Sequence, residues 1–194
     1  IGIFIVPNNE VSSEVSQWKK KFTNKFGNQL YIDHMPHITL ANFYTTDLDN
    51  LVEKTKNYCS TIKNNLLIKI NKTDEFSEDP ITKCKTPYYV IDKNQDLLNF
   101  QEKLVSNISN FIESKFEINF ENNNYNLNNN NYGYPFVGKD WIPHITICSL
   151  ENKYSDSTLK KEFLKFRPNH NFFVNQIEIY EIKNSEHKKI EEIL

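Results

Sequence analysis

Several absences narrow what this chain does. Its 194 residues carry 23 lysines and arginines against 25 acidic residues, a formal net charge of −2. That balance leaves no dense basic face of the kind that holds long nucleic acid by neutralising phosphates, although a short or terminal nucleotide is compatible with it. Only three cysteines occur, Cys59, Cys84 and Cys148. They form no close pair and one is left over, which argues against a disulfide framework or a Cys-rich zinc site. A reducing cytosol or nucleus is the expected location. No apolar run approaches the roughly 20 residues that span a bilayer, so no membrane partner is expected.

What the sequence has in excess is asparagine, concentrated in NFENNNYNLNNNNYGY at 119–134. Such a polar, low-complexity tract cannot bury enough apolar surface to fold alone, and it reads as a mobile surface loop. The rest of the chain is long enough for one domain with a sizeable core. Residues 1–6 read as a strand ending at Pro7. Val11, Val15, Trp18, Phe22 and Phe26 then share one face of a helix. After an extended run, Leu48, Leu51, Val52, Thr55, Cys59 and Ile62 mark a second helix, and LLIKINKTDEF (66–76) alternates as a strand.

The second half repeats this order. TPYYVID (86–92) reads as a strand, and Leu97, Leu104, Val105, Ile108, Phe111, Ile112 and Phe116 as a helical stripe. A shorter helix is expected near 157–166 and a single strand over 172–182. The third element of each half carries the same four letters, Pro36-His37-Ile38-Thr39 and Pro143-His144-Ile145-Thr146, with His144 lying 107 positions after His37. A repeat set in duplicated surroundings implies two related β-α-β-α-β lobes, about 1–80 and 81–194, packed about a pseudo-two-fold axis in one domain. If the two motif strands are central, the histidines meet across a shared cleft.

On an extended strand His37 and Thr39 project from one face, roughly 7 Å apart, while Ile38 and Leu40 face the other way. His144 and Thr146 behave identically. The prolines bias the preceding residue to extended geometry and are tolerated where a strand begins. Imidazole titrates nearest neutrality and serves as either acid or base. Two threonine hydroxyls aimed at one point would hold the non-bridging oxygens of a phosphate. The set describes metal-free cleavage of a phosphodiester. One histidine activates water, the other protonates the departing ribose oxygen, and the near-symmetry leaves open which does which.

These residues, with Leu40 and Ile147 in the apolar place after each threonine, resemble the two-histidine phosphoesterase superfamily, which includes 2′-5′ RNA ligase-like and cyclic phosphodiesterase members. The resemblance implies a bilobal α+β fold with antiparallel sheets flanking a central cleft. It implies His37 and His144 as general acid and base, Thr39 and Thr146 as phosphate ligands, and no cofactor or metal. Implied substrates are 2′,3′-cyclic phosphates of RNA ends or nucleotides, 1″,2″-cyclic ADP-ribose phosphate, or 2′-5′ oligoadenylates. A monomer acting on a small nucleotide or RNA end, not on long duplexes, is the expectation. A ligase joining RNA ends and a non-catalytic nucleotide-binding module are the alternatives.

A lone histidine in an apolar run is usually structural, and threonine is common in strands; the duplication is what favours chemistry. His34 and His37 have an H-x-x-H spacing, but on a strand positions three apart face opposite ways. Asp33 and Asp140 read as turn residues. Tyr132, Tyr134, Phe136 and Trp141 either stack on a base or pack a loop onto the core. The face of Tyr180 cannot be assigned from alternation.

Overall fold

The computed structural model describes residues 1–62, 66–79, 81–112, 120–183 and 186–194. The elements run β1 (Gly2–Ile5), α1 (Asn9–Phe26), β2 (Ile38–Asn42), α2 (Leu48–Cys59), β3 (Leu67–Phe76), β4 (Thr86–Ile91), α3 (Gln95–Ile108), α4 (Asn123–Tyr132), β5 (His144–Thr146), α5 (Thr158–Lys165), β6 (His170–Phe173), β7 (Ile177–Lys183) and β8 (Glu186–Glu192). Asn8 caps α1 by accepting the Val11 N–H at 3.0 Å, and Asn94 caps α3 through Leu97 at 2.8 Å; each satisfies an otherwise orphaned donor. The stripe of α1 is buried as its period requires, with Val11, Val15 and Phe22 fully inside. No helix among the described residues is long and apolar enough to cross a membrane.

The strands form two four-stranded antiparallel sheets, ordered β2-β1-β7-β8 and β5-β4-β3-β6. The fold is α+β, built around this pair of sheets, but the sheets do not divide the chain near residue 80. Strand β3, from the first half, pairs with β4 of the second, and β7 returns from the C-terminal end to pair with β1. The duplicated halves have exchanged their third strands. Helices follow suit. Trp18 of α1 packs edge-on to Phe163 of α5 at 5.2 Å, and Glu14 of α1 accepts from Tyr89 on β4 at 3.0 Å. In turn α3 packs on α2, where Phe100 stacks on Tyr58 at 5.5 Å, and on β2.

Three expectations need correction. Residues 172–182 are not one strand: the chain leaves the second sheet at Phe173 and joins the first at Ile177. The buried positions change parity there, Phe172 and Val174 giving way to Ile177 and Ile179. Strand β8 has no counterpart in the sequence reading, because EHKKIEE is charged and largely exposed, having only β7 to pair with. The asparagine tract is not a loop over 123–132 but helix α4. Its side chains supply the contacts that apolar residues would otherwise make. Asn122 caps it, Asn126 exchanges two hydrogen bonds with the Phe120 backbone, Asn128 donates to Pro135 O, and Tyr125 lies against Phe136 at 5.1 Å. Gly133 ends the helix at φ +71°, where a Cβ would lie 2.2 Å from Ile112. Residues 113–119, including Phe116 of the expected helical stripe, lie outside the described residues.

Gln101 of α3 joins the surroundings of the two motifs. Fully buried, it donates to Leu40 O and Phe136 O and accepts from the Gly138 N–H, each at 2.9 Å. Gln101→Leu keeps the volume but strands three buried polar groups. A loss of at least about 2 kcal/mol is expected, read as a lower urea midpoint with an unchanged m-value.

Candidate active site

The motif strands β2 and β5 are edge strands of their sheets, not central ones, yet they lie beside each other. The contact is tied by Trp141, three residues before His144, whose indole N–H donates to Thr39 O at 3.0 Å. Above them opens a cavity of about 480 Å³, within the usual range for small-molecule sites. His37, Thr39, His144 and Thr146 all line it. Ile38, Leu40, Ile145 and Ile147, on the opposite faces, are fully buried.

The two histidines are held alike. Nδ1 of His37 donates to Met35 O and Nδ1 of His144 to Ile142 O, both at 2.7 Å. A carbonyl only accepts, so the proton resides on Nδ1 and each Nε2 is left with a free lone pair. The accepting carbonyl in each case belongs to the residue before the motif proline. Each motif threonine also faces an aromatic residue across the ladder, Phe4 opposite Thr39 and Tyr88 opposite Thr146. Phe4 lies 4.1 Å from the His37 ring, and Tyr88 lies 5.2 Å from that of His144. The signal for this was present in Ile3-Phe4-Ile5 and Pro87-Tyr88-Tyr89, where an aromatic takes the central place on each half's first strand.

Beyond this symmetric frame the surroundings differ. His37 shares its side of the cavity with His34 and His187, at ring separations of 6.5 and 5.7 Å. Burial, the two neighbouring imidazoles and the Lys19 ammonium hold His37 in the neutral form, pulling its pKa down to about 3 despite the favourable Met35 carbonyl. Burial also lowers His144, but there the Ile142 carbonyl and the Asp79 carboxylate pull the other way. Asp79 sits in the β3–β4 connection, its Oδ1 accepting from the Ile81 and Thr82 N–H groups at 2.9 Å.

His34 reaches the same cavity as His37, contrary to the expectation for positions three apart on a strand. Tyr31–His34 form a turn, entered with Tyr31 at φ 66° and fastened by Lys19 Nζ donating to Tyr31 O at 2.7 Å. No group of three His, Cys, Asp or Glu residues is arranged to hold a metal ion among the described residues. Asp140 lies in a short 3-10 turn and accepts from Asn124 and Asn128 of α4. Tyr134, Phe136 and Trp141 line the cavity, joined by Tyr31 and Tyr125; Tyr132 does not. Tyr180 donates to Glu178 at 2.6 Å and supports Phe4 from behind at 5.6 Å. Sequence reasoning missed His187, Asp79, Lys19, Phe4 and Tyr88 as parts of this region.

The model of the 2′-5′ RNA ligase superfamily matches residues 7–186. The chain belongs to this superfamily, the two-histidine phosphoesterases. Among solved structures it is similar to TT0787 of Thermus thermophilus, with a TM-score of 0.61 over 99% of this chain and 96% of that one. At 13% identity that likeness speaks for the fold alone. A comparison with curated proteins returned no significant match.

Buried neutral histidines make stability depend on pH. The pKa of His34 is pulled down to about 4 and that of His37 to about 3, so below the ordinary value near 6.5 the unfolded chain binds protons that the folded one refuses. Their contribution is complete above about pH 6.5 and is lost progressively toward pH 3–4. Urea midpoints should therefore fall between pH 7.5 and 5, and the fall should be shallower in His34→Phe. An equal fall in that variant would remove His34 as a source.

Proposed function

We propose that the chain is a metal-independent phosphodiesterase that opens a cyclic phosphodiester on a ribose, such as the 2′,3′-cyclic phosphate of a nucleotide or RNA end. The observation that carries this reading is the pair of His-x-Thr faces lining one cavity, each imidazole held by the same Nδ1–carbonyl bond with Nε2 free. Superfamily membership supports phosphodiester chemistry in general.

The electrostatic difference between the two sides supports a division of roles. His37, among imidazoles and a buried lysine, is favoured neutral and serves as the base; His144, facing Asp79, is the better site for a proton and serves as the acid. Water attacks phosphorus as its proton passes to Nε2 of His37. The bond from phosphorus to one ribose oxygen breaks, and that oxygen takes the proton of His144 Nε2. Thr39 and Thr146 donate to the non-bridging oxygens, where charge accumulates. Both histidines return to their starting states by exchange with solvent. Tyr31, Tyr125 and Phe136 are partly open to the cavity and offer rings for a base. The superfamily's description favours a second reading, in which the same acid–base pair run backwards joins a cyclic phosphate to a 5′-hydroxyl.

A panel of 2′,3′-cyclic nucleotides, 1″,2″-cyclic ADP-ribose phosphate and 2′-5′ oligoadenylate tests the assignment, with identification of the hydroxyl released. A 2′-5′ joined product from two RNA fragments would favour the ligase. His37→Ala and His144→Ala should each lower turnover at least about 10²-fold; near-normal activity in either would reject the scheme.

Because His37 must be neutral and His144 protonated, kcat/KM should rise through the low pKa of His37. It should fall through that of His144, giving an optimum below about pH 6.5. Asp79→Asn keeps the turn's acceptor but removes the charge. Its alkaline limb should move to lower pH while the acid limb stays in place, and the opposite pattern would reverse the two roles.

A further inference from the structure

Two histidines of the cavity have no part in the motif chemistry. His34 stands at the end of the Tyr31–His34 turn. It occupies the place of Trp141 in the other half, three residues before the motif histidine, so the two-fold repeat is broken there. His187 comes from β8, opposite Ile182 on β7, and faces the cavity as Ile182 does. The two rings lie 4.3 Å apart, and the His187 ring lies 5.6 Å from Phe4. Nδ1 of His187 is buried with no hydrogen-bond partner among the described residues, a state that costs free energy unless a ligand or water completes it.

An anionic substrate entering here meets no fixed cation among the described residues. No lysine or arginine lines the cavity among the described residues. Lys19 is nearby but buried, and its ammonium is committed to Tyr31 O and Ile32 O at 2.7 and 3.3 Å. Arg167, the sole arginine, is exposed and donates to Leu164 O and Phe166 O. Direct binding of phosphate by cationic side chains therefore falls to the histidines, and two of the four are occupied at the reacting phosphorus. The separations of His37 from His34 and His187, 6.5 and 5.7 Å, are of the order that separates phosphates flanking one ribose.

We propose that His34 and His187 form a subsite for a second phosphate, so that the substrate class is a ribonucleotide carrying a 5′-phosphate in addition to the phosphodiester at His37 and His144. The placement of the first phosphate rests on the function proposed above; the second subsite stands on the two rings, the orphaned nitrogen and the lack of a lysine or arginine on the cavity wall among the described residues. Burial disfavours charge on both imidazoles; the neighbouring His187 adds to this at His34, and the Lys19 ammonium acts on both. A phosphate placed against them reverses that balance by drawing protons onto the rings. Binding should thus take up protons and weaken as pH rises. The other charged or titratable groups around them are Tyr31, whose ring lies 5.2 Å from that of His34, and His37; Lys19 on α1; Asp33 and Glu186 on the exposed flanks; Tyr180 with Glu178 on β7; and Glu78 and Asp79, which also line the cavity.

Calorimetric titration of the full chain with adenosine 3′-phosphate and with adenosine 3′,5′-bisphosphate tests this directly. Near pH 6 the bisphosphate should bind at least about 10-fold tighter, with proton uptake seen as a heat that depends on the buffer, and the advantage should shrink to about 3-fold or less near pH 8. His34→Phe and His187→Phe preserve ring shape and remove the nitrogens; in each the advantage should fall to within about 2-fold. Equal affinity for the two ligands in the unaltered protein, or an advantage that persists in both variants, would overturn the subsite. The outcome is separable from the hydrolase reading. A 5′-phosphate preference without turnover of any cyclic substrate would sink the hydrolase and keep the subsite, and turnover without the preference would do the reverse.

Discussion

Antiparallel pairing between halves is the constraint on which this structure rests. Because β3 completes the sheet of β4 and β7 that of β1, neither half of the repeat owns a finished sheet. The exchange leaves β2 and β5 as neighbouring edges, and it is there that both motifs project. An edge strand normally presents unpaired backbone groups to solvent. Here the Thr39 carbonyl is taken by the Trp141 indole and the Leu40 carbonyl by Gln101, so the exposed edges become a fixed seam. Rigid support behind reacting groups is what a site needs to keep its geometry through a reaction.

The chemistry of the cavity follows from what surrounds it. Aromatic residues and close packing remove water from the histidines, and the nearest lysine is turned away into carbonyl oxygens. Such a pocket disfavours charge on imidazole. The two sides of the cleft differ because one faces Asp79 and the other faces more imidazole.

Much of the fold could be read in advance because it rests on local pattern. The stripes of α1 and α3, the alternation in β3 and the two proline-preceded His-x-Thr runs each have a period that fixes which face is inward. The same rules failed where tertiary contact outweighed pattern. Helix α4 has no apolar stripe and exists because asparagine amides find carbonyl and carboxylate partners on Phe120, Pro135 and Asp140. Strand β8 has no apolar period and exists because β7 offers it an edge. Strand alternation turns His34 away from His37, but the rule does not apply to residues held in a turn. The break between β6 and β7 leaves a parity change in the buried residues, and the continuous apolar run hides it.

The sequence alone determined the repeat, the superfamily it resembles, and the four residues that the two strands present on one face each, since strand alternation is a property of the backbone and needs no neighbour. Only the tertiary structure decided which strands are exchanged, that β2 and β5 meet at their edges, and that two further histidines and one aspartate flank the pair unequally. Those facts depend on residues far apart in the chain, such as His34 and His187. Their proximity is produced by sheet pairing and by buried hydrogen bonds that leave no periodic trace in the sequence.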